Sequence, residues 1–304
     1  MEEGQVKEIV MQYFPQNLHQ LFLRYESEFD DVQEIRCRVE RPLILRMKHG
    51  TERIVSERLA MQQIQHIVSR ISQGSAYAWE EEFRQGYLTL HGGHRVGMTG
   101  KGVLENGRIR TMKQINGLNF RIARSVPGAA DSLVRCTVSG GRVQNTLLVA
   151  PPGCGKTTML RDLVRQLSDG VPELNFSGVN VGIVDERSEL AGCVNGIPQL
   201  DVGCRTDVLD GCPKSEGIRM LIRSMGPQAV AADEIGTEAD GAALETALQN
   251  GVSIITTAHG HSITDLLYHP VLGPLVERGS FSVIVSLFWR NGEVALRYER
   301  GGCL

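Results

Sequence analysis

The 304-residue chain lacks three features that would point to particular classes of protein: long apolar runs, an excess of basic residues and an even number of cysteines. No stretch approaches the ~18 consecutive apolar residues that a membrane-spanning helix needs, so we expect no direct membrane insertion. The first ten residues, "MEEGQVKEIV", carry acids where a secretory signal would carry basic residues. We therefore expect a cytoplasmic protein.

The charge balance is slightly acidic, with a formal net charge of −3 and a pI near 6.3. A generic nucleic-acid-binding protein is usually basic, so we expect no nucleic-acid partner. Hydrophobic residues make up 41% of the chain and charged residues 22%, which is ordinary for a folded globular protein. A chain of this length has room for two domains, each with its own core.

Seven cysteines exclude a fully paired disulfide framework within one chain. Cys193, Cys204 and Cys212 fall in one region, but they are too widely spaced for a zinc ribbon. We interpret them as reduced structural thiols.

The first part of the chain mixes strand and helix patterns. Strands are predicted at "EIRCRV" and "PLILRM", a helix at "AMQQIQHIVSRIS", and strand character in the glycine-rich "GYLTLHGGHRVGMTGKG" and in "GLNFRIAR". These patterns predict a smaller α+β domain over residues 1–125. The small residues and breakers that follow predict a linker over 126–145.

From residue 146 the pattern changes to strand, loop and helix in repetition. Short apolar runs separated by helices predict a mainly parallel sheet between two layers of helices, an α/β domain over 146–304. The runs are "TLLVA", "VNVGIV", "QAVAA", "VSIITT" and "FSVIVSLF". The segment "RNGE" then predicts a type I′ hairpin before a last strand, "VALRY".

The stretch "APPGCGKTT", residues 150–158, has the pattern of a P-loop and stands between a predicted strand and a predicted helix. Small residues let backbone N–H groups wrap phosphates, and the helix N-terminus favours the same anion. Lys156 is predicted to bridge the β- and γ-phosphates of ATP, and the Thr157 hydroxyl to bind Mg²⁺. Ala150 departs from the usual opening glycine. The predicted nucleotide-binding residues are Pro151, Pro152, Gly153, Cys154, Gly155, Lys156, Thr157 and Thr158.

A P-loop alone does not distinguish an ATPase from a GTPase or a kinase. No lysine is followed two residues later by aspartate, as guanine recognition would require. In "AADEIG", an aspartate is followed by a glutamate, which indicates hydrolysis. Asp233 is predicted to hold Mg²⁺, and Glu234 to activate water as a base.

A second acidic pair, Asp185 and Glu186 in "VGIVDERSEL", competes for that assignment. In P-loop ATPases with a catalytic glutamate, one strand is inserted between the P-loop strand and the metal-binding strand. This order favours the later pair, and it leaves Asp185 either as a second catalytic carboxylate or as a cap of the next turn. In "TTAHGH", Thr257 or His259 could sense the γ-phosphate, although an exposed edge histidine is the alternative.

Four motifs in this order, "APPGCGKTT", "VDERSEL", "AADEIG" and "TTAHGH", resemble the Walker A, Asp box, Walker B and His box of secretion ATPases of the type II and type IV pilus class. From residue 30 to about 290 the chain more closely resembles the stage III sporulation protein AA family. The stretches that carry this resemblance include "EIRCRVERPLIL", "LNFRIAR", "PPGCGKTTMLRDLVRQLS", "DVGCRTDVLDGCPKSEG" and "LIRSMGPQAVAADEIG". The alanines in "AVAADE" depart from the bulkier residues that are usual there.

The resemblance implies a RecA/AAA-like P-loop ATPase that acts as a hexameric ring. Its implied partners are membrane-embedded channel proteins between mother cell and forespore, and its implied location is peripheral to that complex in the mother cell. In secretion relatives, arginines of the N-terminal domain approach the phosphates. Arg95, Arg121 and Arg124 stand in suitable segments, with solvated surface arginines as the alternative.

Two other function classes remain open: a nucleic-acid-binding P-loop ATPase, and a scaffold that holds nucleotide without turnover.

Overall fold

The structure, a computed structural model, describes residues 8, 10–72, 86–290 and 293–300. The chain forms two compact units, Met1–Arg124 and Ser125–Leu304. Within the described ranges, no helix combines the length and the apolar character needed to cross a membrane.

The first unit is built on a six-stranded antiparallel sheet in the order β3-β2-β1-β6-β5-β4. Buried and half-buried residues alternate along β2, so one face of this strand is covered more fully than the other. Three isoleucines of helix α2, at positions 64, 67 and 71, are buried in the core of this unit. The elements are α1 Gln16–Leu23, β1 Val32–Arg38, β2 Pro42–Met47, β3 Glu52–Arg58, α2 Met61–Ile71, β4 Tyr87–Thr89, β5 Arg95–Glu105 and β6 Arg108–Arg121.

Strands β5 and β6 form a long hairpin whose outer part pairs only within itself among the described residues. Its two-residue turn is Asn106–Gly107, with φ of 51° and 75°, the left-handed pair of a type I′ turn. A bulge interrupts the ladder at Gly100, where a Cβ would lie 2.7 Å from the carbonyl oxygen of Lys113. Only glycine fits this close approach of the two strands.

The structure differs from the predicted linker at residues 126–145. This stretch contains α3 Asp131–Thr137 and a small hairpin of β7 Val138–Ser139 and β8 Arg142–Val143. Leu133 and Val134 of α3 are buried in a core of the second unit. The glycines that suggested a linker, Gly140 and Gly141, both have positive φ and make the hairpin turn.

The second unit is built on a seven-stranded sheet in the order β11-β10-β12-β13-β9-β14-β15. The six strands β9 to β14 run parallel, and β15 is antiparallel to β14. One core lies between the sheet and α4, and another lies on the opposite face against α5, α6 and α8. The strands are β9 Thr146–Ala150, β10 Val181–Asp185, β11 Thr206–Asp210, β12 Ala229–Ala232, β13 Ser253–His259, β14 Val283–Arg290 and β15 Glu293–Arg300, and the helices are α4 Lys156–Asp169, α5 Lys214–Ser224, α6 Glu238–Gln249, α7 Ile263–Leu267 and α8 Leu272–Glu277. The turn residues 291–292 of the hairpin predicted at "RNGE" lie outside the described residues.

His94 is a buried polar anchor in the first unit. Its ring is 0% exposed, and its Nδ1 accepts a hydrogen bond from the backbone N–H of Ala123 at 3.0 Å. Burial, helped by the positive charge of Arg124, lowers the pKa of His94 to about 4. The folded protein therefore holds this histidine neutral.

Because the folded-state pKa of His94 lies below its unfolded value of about 6.5, the unfolded chain takes up the proton first as the pH falls. The stability contributed by the neutral ring is lost as the pH drops from about 6.5 towards 4. We expect His94→Asn, which keeps an acceptor for Ala123, to remove about 2 kcal/mol of the stability difference between pH 7 and pH 5. Thermal unfolding of the full chain at both pH values measures it, with the exposed His66→Asn as control. Equal pH dependence in wild type and His94→Asn would contradict the assignment.

Candidate active site

The predicted phosphate loop joins β9 to α4 at the carboxyl edge of the parallel sheet. All five residues of β9 are buried, so the loop starts from the centre of the sheet. Gly153 and Gly155 both have φ of 78°, a conformation that strains any residue with a side chain. Gly155 directly precedes α4, whose unpaired N-terminal N–H groups therefore lie at the end of the loop. A loop of this shape is suited to bind a phosphate.

The other residues of the loop divide between its surface and its interior. Pro152 is exposed, Pro151 is half-buried, and the Cys154 thiol is buried and free. Thr157 and Thr158 are half-buried in the first turn of α4. The loop thus presents backbone and hydroxyl groups at its surface and keeps its thiol inside.

The Lys156 ammonium is held against the loop. Its Nζ donates to the carbonyl oxygens of Ala150 at 2.9 Å and Pro151 at 3.3 Å, and it lies 3.0 Å from Nδ1 of His259. Lys156 is 8% exposed, and burial lowers its pKa, although the nearby carboxylates of Asp233 and Glu234 oppose this shift. The lysine is therefore positioned by its own loop and by the end of β13.

Asp233 follows β12 and receives hydrogen bonds from two threonines. The Thr157 hydroxyl donates to its Oδ2 at 2.7 Å, and the Thr257 hydroxyl of β13 donates to its Oδ1. Because β13 lies between β9 and β12, the sheet has the strand order expected for an aspartate in this position.

The hydroxyl of Thr157 and the carboxylate of Asp233 fit Mg²⁺, which prefers oxygen ligands and is commonly held by one or two carboxylates together with substrate phosphates. Among the described residues, no cluster of three or more His, Cys, Asp or Glu side chains forms an all-protein metal cage. The oxygen pair therefore suits a metal that shares its coordination with a nucleotide.

Glu234 has φ of 54°, a left-handed conformation that is costly for a residue with a side chain. Its N–H donates to the Thr257 hydroxyl at 2.9 Å, which holds the backbone in place. Its carboxylate lies 2.7 Å from Nε2 of His259 and 3.8 Å from Nη1 of Arg187. The Lys156 ammonium faces Nδ1 of His259, so Nδ1 accepts a hydrogen bond. We therefore assign the ring proton to Nε2, which donates a hydrogen bond to Glu234.

Asp185 ends β10 and is only 3% exposed. Its carboxylate accepts the backbone N–H groups of Glu189 at 2.8 Å, Leu190 at 2.9 Å and Ala191 at 2.8 Å. Burial raises the pKa of Asp185, and these three hydrogen bonds act in the opposite direction. The observed contacts are those of a carboxylate that caps the following loop, and a catalytic share for Asp185 stays a prediction.

The loop after Asp185 is also tied to the P-loop helix. Arg161 on α4 donates from Nε to the carbonyl oxygen of Leu190 at 2.5 Å and from Nη2 to that of Glu189 at 2.6 Å. Arg161 is buried, and the sequence motifs alone did not single it out. The available signal was its spacing, which places Arg161 among the apolar residues on the buried face of α4. A buried arginine must find hydrogen-bond acceptors, so a structural role could have been expected.

Glu186 pairs with Lys214 at the start of α5, a partner that sequence reasoning missed. Both acidic pairs line a cleft of about 250 Å³ between the ends of β10 and β12. Glu186 therefore lies at the same edge of the sheet as Glu234, although its ion pair is with Lys214 of α5.

The three arginines predicted to approach the phosphates lie in the first unit. Arg95 and Arg121 are directly opposite one another on β5 and β6, and the Arg95 guanidinium stacks on the ring of Tyr87 with 3.8 Å to its centroid. Arg124 donates to the carbonyl oxygens of Phe29 at 3.2 Å and Val32 at 3.0 Å, which anchors it within its own unit. Their approach to a nucleotide stays a prediction.

The cysteines considered for zinc, Cys193, Cys204 and Cys212, are free thiols. Burial is the main cause that raises the pKa of Cys193 to about 12, so this group stays protonated.

Relatives of known sequence cover most of the chain. Residues 4–303 match the family described as "Sporulation stage III, protein AA". The chain is 43% identical over 279 residues to Stage III sporulation protein AA of Bacillus subtilis (strain 168), which covers 91% of this chain and 90% of that protein. It is 32% identical over 171 residues to Protein SEEDLING PLASTID DEVELOPMENT 1 of Arabidopsis thaliana, which covers 55% of this chain and 24% of that protein.

Solved structures share the fold. The ATPase DotB of Legionella pneumophila has a TM-score of 0.61 at 15% identity, with 94% of this chain and 80% of that chain covered. The pilus retraction motor PilT, solved with bound ADP, has a TM-score of 0.58 at 14% identity, with 92% and 81% covered. These similarities confirm the predicted fold class, a parallel-rich α/β unit preceded by a smaller unit of mixed α and β structure.

The predicted resemblance is also confirmed. The match extends over nearly the whole sequence, and a relative of almost the same length is 43% identical. The chain belongs to the sporulation stage III protein AA family.

Proposed function

We propose that the chain binds MgATP and hydrolyses it to ADP and phosphate. The observation that carries this proposal is the chain of contacts from Lys156 through His259 to Glu234, with distances of 3.0 Å and 2.7 Å. It joins the phosphate loop to a carboxylate that follows directly on a predicted Mg²⁺ ligand. A carboxylate so placed can act as a general base towards water. The names of two proteins that share the fold, an ATPase and a pilus retraction motor, support the proposal.

Each residue of the site has a distinct role in this proposal. The amides of the loop and Lys156 bind the phosphates, while Thr157 and Asp233 hold Mg²⁺. Bound Mg²⁺ would neutralise the phosphate oxygens and so stabilise charge during phosphoryl transfer. Glu234 orients and deprotonates the attacking water, and the Nε2–H of His259 fixes the orientation of its carboxylate.

Asp185, Glu186 and His259 are proposed to couple hydrolysis to movement. Asp185 caps a loop that Arg161 joins to α4, so a shift of α4 would displace this loop. Glu186 extends this connection to α5 through Lys214.

Arg95, Arg121 and Arg124 of the first unit are proposed to bring positive charge to the phosphates. This charge would stabilise the transition state of hydrolysis.

We propose further that the protein works as a homo-oligomer, a hexameric ring, in the cytoplasm of the mother cell. It would be peripheral to a membrane complex and would energise or assemble a channel to the forespore. The sporulation relative in Bacillus subtilis supports the biological setting, and the shared fold with a pilus retraction motor supports the mechanical role.

Glu234→Gln keeps the shape of the side chain but removes the base. We expect it to bind MgATP, to release phosphate at least about a hundredfold more slowly and to favour the oligomer by trapping ATP. Phosphate release and light scattering with and without MgATP measure these effects, with the exposed Glu173→Gln as control.

Four results would contradict parts of the proposal. Unchanged turnover in Glu234→Gln would show that Glu234 is not the base. If Glu234→Gln stayed monomeric at high concentration, the protein would not form a ring without a partner. Wild-type protein that binds nucleotide without releasing phosphate would favour a scaffold. Strong stimulation of turnover by nucleic acid would favour a nucleic-acid-binding ATPase.

The two acidic pairs are distinguished by Asp233→Asn and Asp185→Asn. We expect Asp233→Asn to weaken Mg²⁺-dependent ATP binding about tenfold or more, because a charged metal ligand is lost. Asp185→Asn should leave binding within about twofold but lower turnover and the unfolding temperature, because an amide offers fewer acceptors to three N–H groups. Calorimetric titrations with and without Mg²⁺ and thermal unfolding measure these effects, and the reverse ranking would show that the pairs were assigned the wrong way round.

A further inference from the structure

Trp289 lies at the carboxyl end of β14, beside the phosphate loop. β14 runs parallel to β9, with Val283 opposite Thr146 and Ser286 opposite Val149. Trp289 is three residues beyond Ser286, whereas β9 ends one residue after Val149. Trp289 therefore lies beyond the end of β9, beside the phosphate loop that follows that strand.

The side chain of Trp289 is on the face of the sheet that packs against the P-loop helix. Val283, Val285 and Leu287 belong to the same buried core as residues of α4. Since strand side chains alternate between faces, Trp289 is the next member of this row. Unlike them it is 53% exposed, so it continues the apolar surface of the core to the edge of the site.

Its cross-strand partner connects this surface to the loop. Val294 on β15 is directly opposite Trp289, and directly opposite residues share one face of a sheet. The Cγ2 of Val294 lies 3.9 Å from the position that a Cβ on Gly155 would take. Val294 is itself 37% exposed. Val294 thus lies beside the last glycine of the phosphate loop, and Trp289 is its cross-strand neighbour on the same face. The two exposed side chains form an apolar surface next to the loop.

We propose that Trp289 and Val294 form a platform for the base of the nucleotide whose phosphates the loop holds. This inference rests on the proposed function, because it needs a nucleotide in the loop. The ligand class is a nucleoside triphosphate. An indole recognises the flat face of a base by stacking, so the platform contributes affinity and favours the larger face of a purine.

The test compares a ligand that has a base with one that lacks it. Calorimetry gives the affinities of the full-length protein for MgATP and for magnesium tripolyphosphate. Trp289→Ala is expected to weaken MgATP binding about tenfold and to leave tripolyphosphate binding unchanged. Trp289→Phe, which keeps an aromatic face, should retain most of the affinity. Tyr268→Ala, at an aromatic residue that is 87% exposed in the same unit, serves as the matched control and should bind both ligands as wild type does.

A spectroscopic measurement gives an independent readout. Trp79, the other tryptophan of the chain, lies outside the described residues, and Trp79→Phe makes Trp289 the only indole. In that background MgATP should quench or shift the tryptophan fluorescence, and tripolyphosphate should not.

Two results would overturn the platform while leaving the proposed function intact. In the first, Trp289→Ala binds MgATP as tightly as wild type. In the second, it loses affinity for both ligands equally, which would indicate a distorted loop. If wild-type protein binds neither ligand, the proposed function fails and the platform fails with it.

Discussion

The hydrogen bonds that two threonines donate to Asp233 hold the site together. Thr157 comes from the P-loop helix and Thr257 from the strand between the P-loop strand and β12, so one carboxylate connects three elements. The Thr257 hydroxyl also accepts the N–H of Glu234 and so supports that residue in its left-handed backbone conformation. The positions of the proposed metal ligands and of the proposed base therefore depend on the same threonine.

Two acidic pairs with similar sequence patterns meet different surroundings at one sheet edge. Three backbone N–H groups occupy the carboxylate of Asp185, which stabilises a loop. Asp233 instead accepts hydrogen bonds from two hydroxyl groups, which can rotate and leave its oxygens to a metal ion. Buried Arg161 then links the two regions, since it bonds the loop that Asp185 caps from the helix that carries Thr157. The contrast explains how a single edge can hold both the proposed binding site and a structural connection to its neighbours.

Much of this fold follows from local patterns, and the exceptions have physical causes. The buried strands of the parallel sheet are short apolar runs, and these were predicted. The edge strand Thr206–Asp210 was missed because it is half-buried and carries two aspartates, which weakens both strand signals. The Asn106–Gly107 pair is a local hairpin signal, because both residues readily adopt the positive φ of a type I′ turn. In the site, motifs identified individual residues such as Lys156 and His259, but their contact depends on two strands being neighbours, which only the folded sheet determines.

The most direct test of this account is phosphate release from MgATP by Thr257→Val, which removes one hydroxyl and keeps the size of the side chain. Thr256→Val is the matched control, because its hydroxyl donates to the backbone of Ala232 and not to the site. We predict that wild type and Thr256→Val release phosphate, that Thr257→Val loses most of this turnover, and that all three bind ATP. Equal turnover in Thr257→Val and wild type, or no release by wild type, would contradict the account.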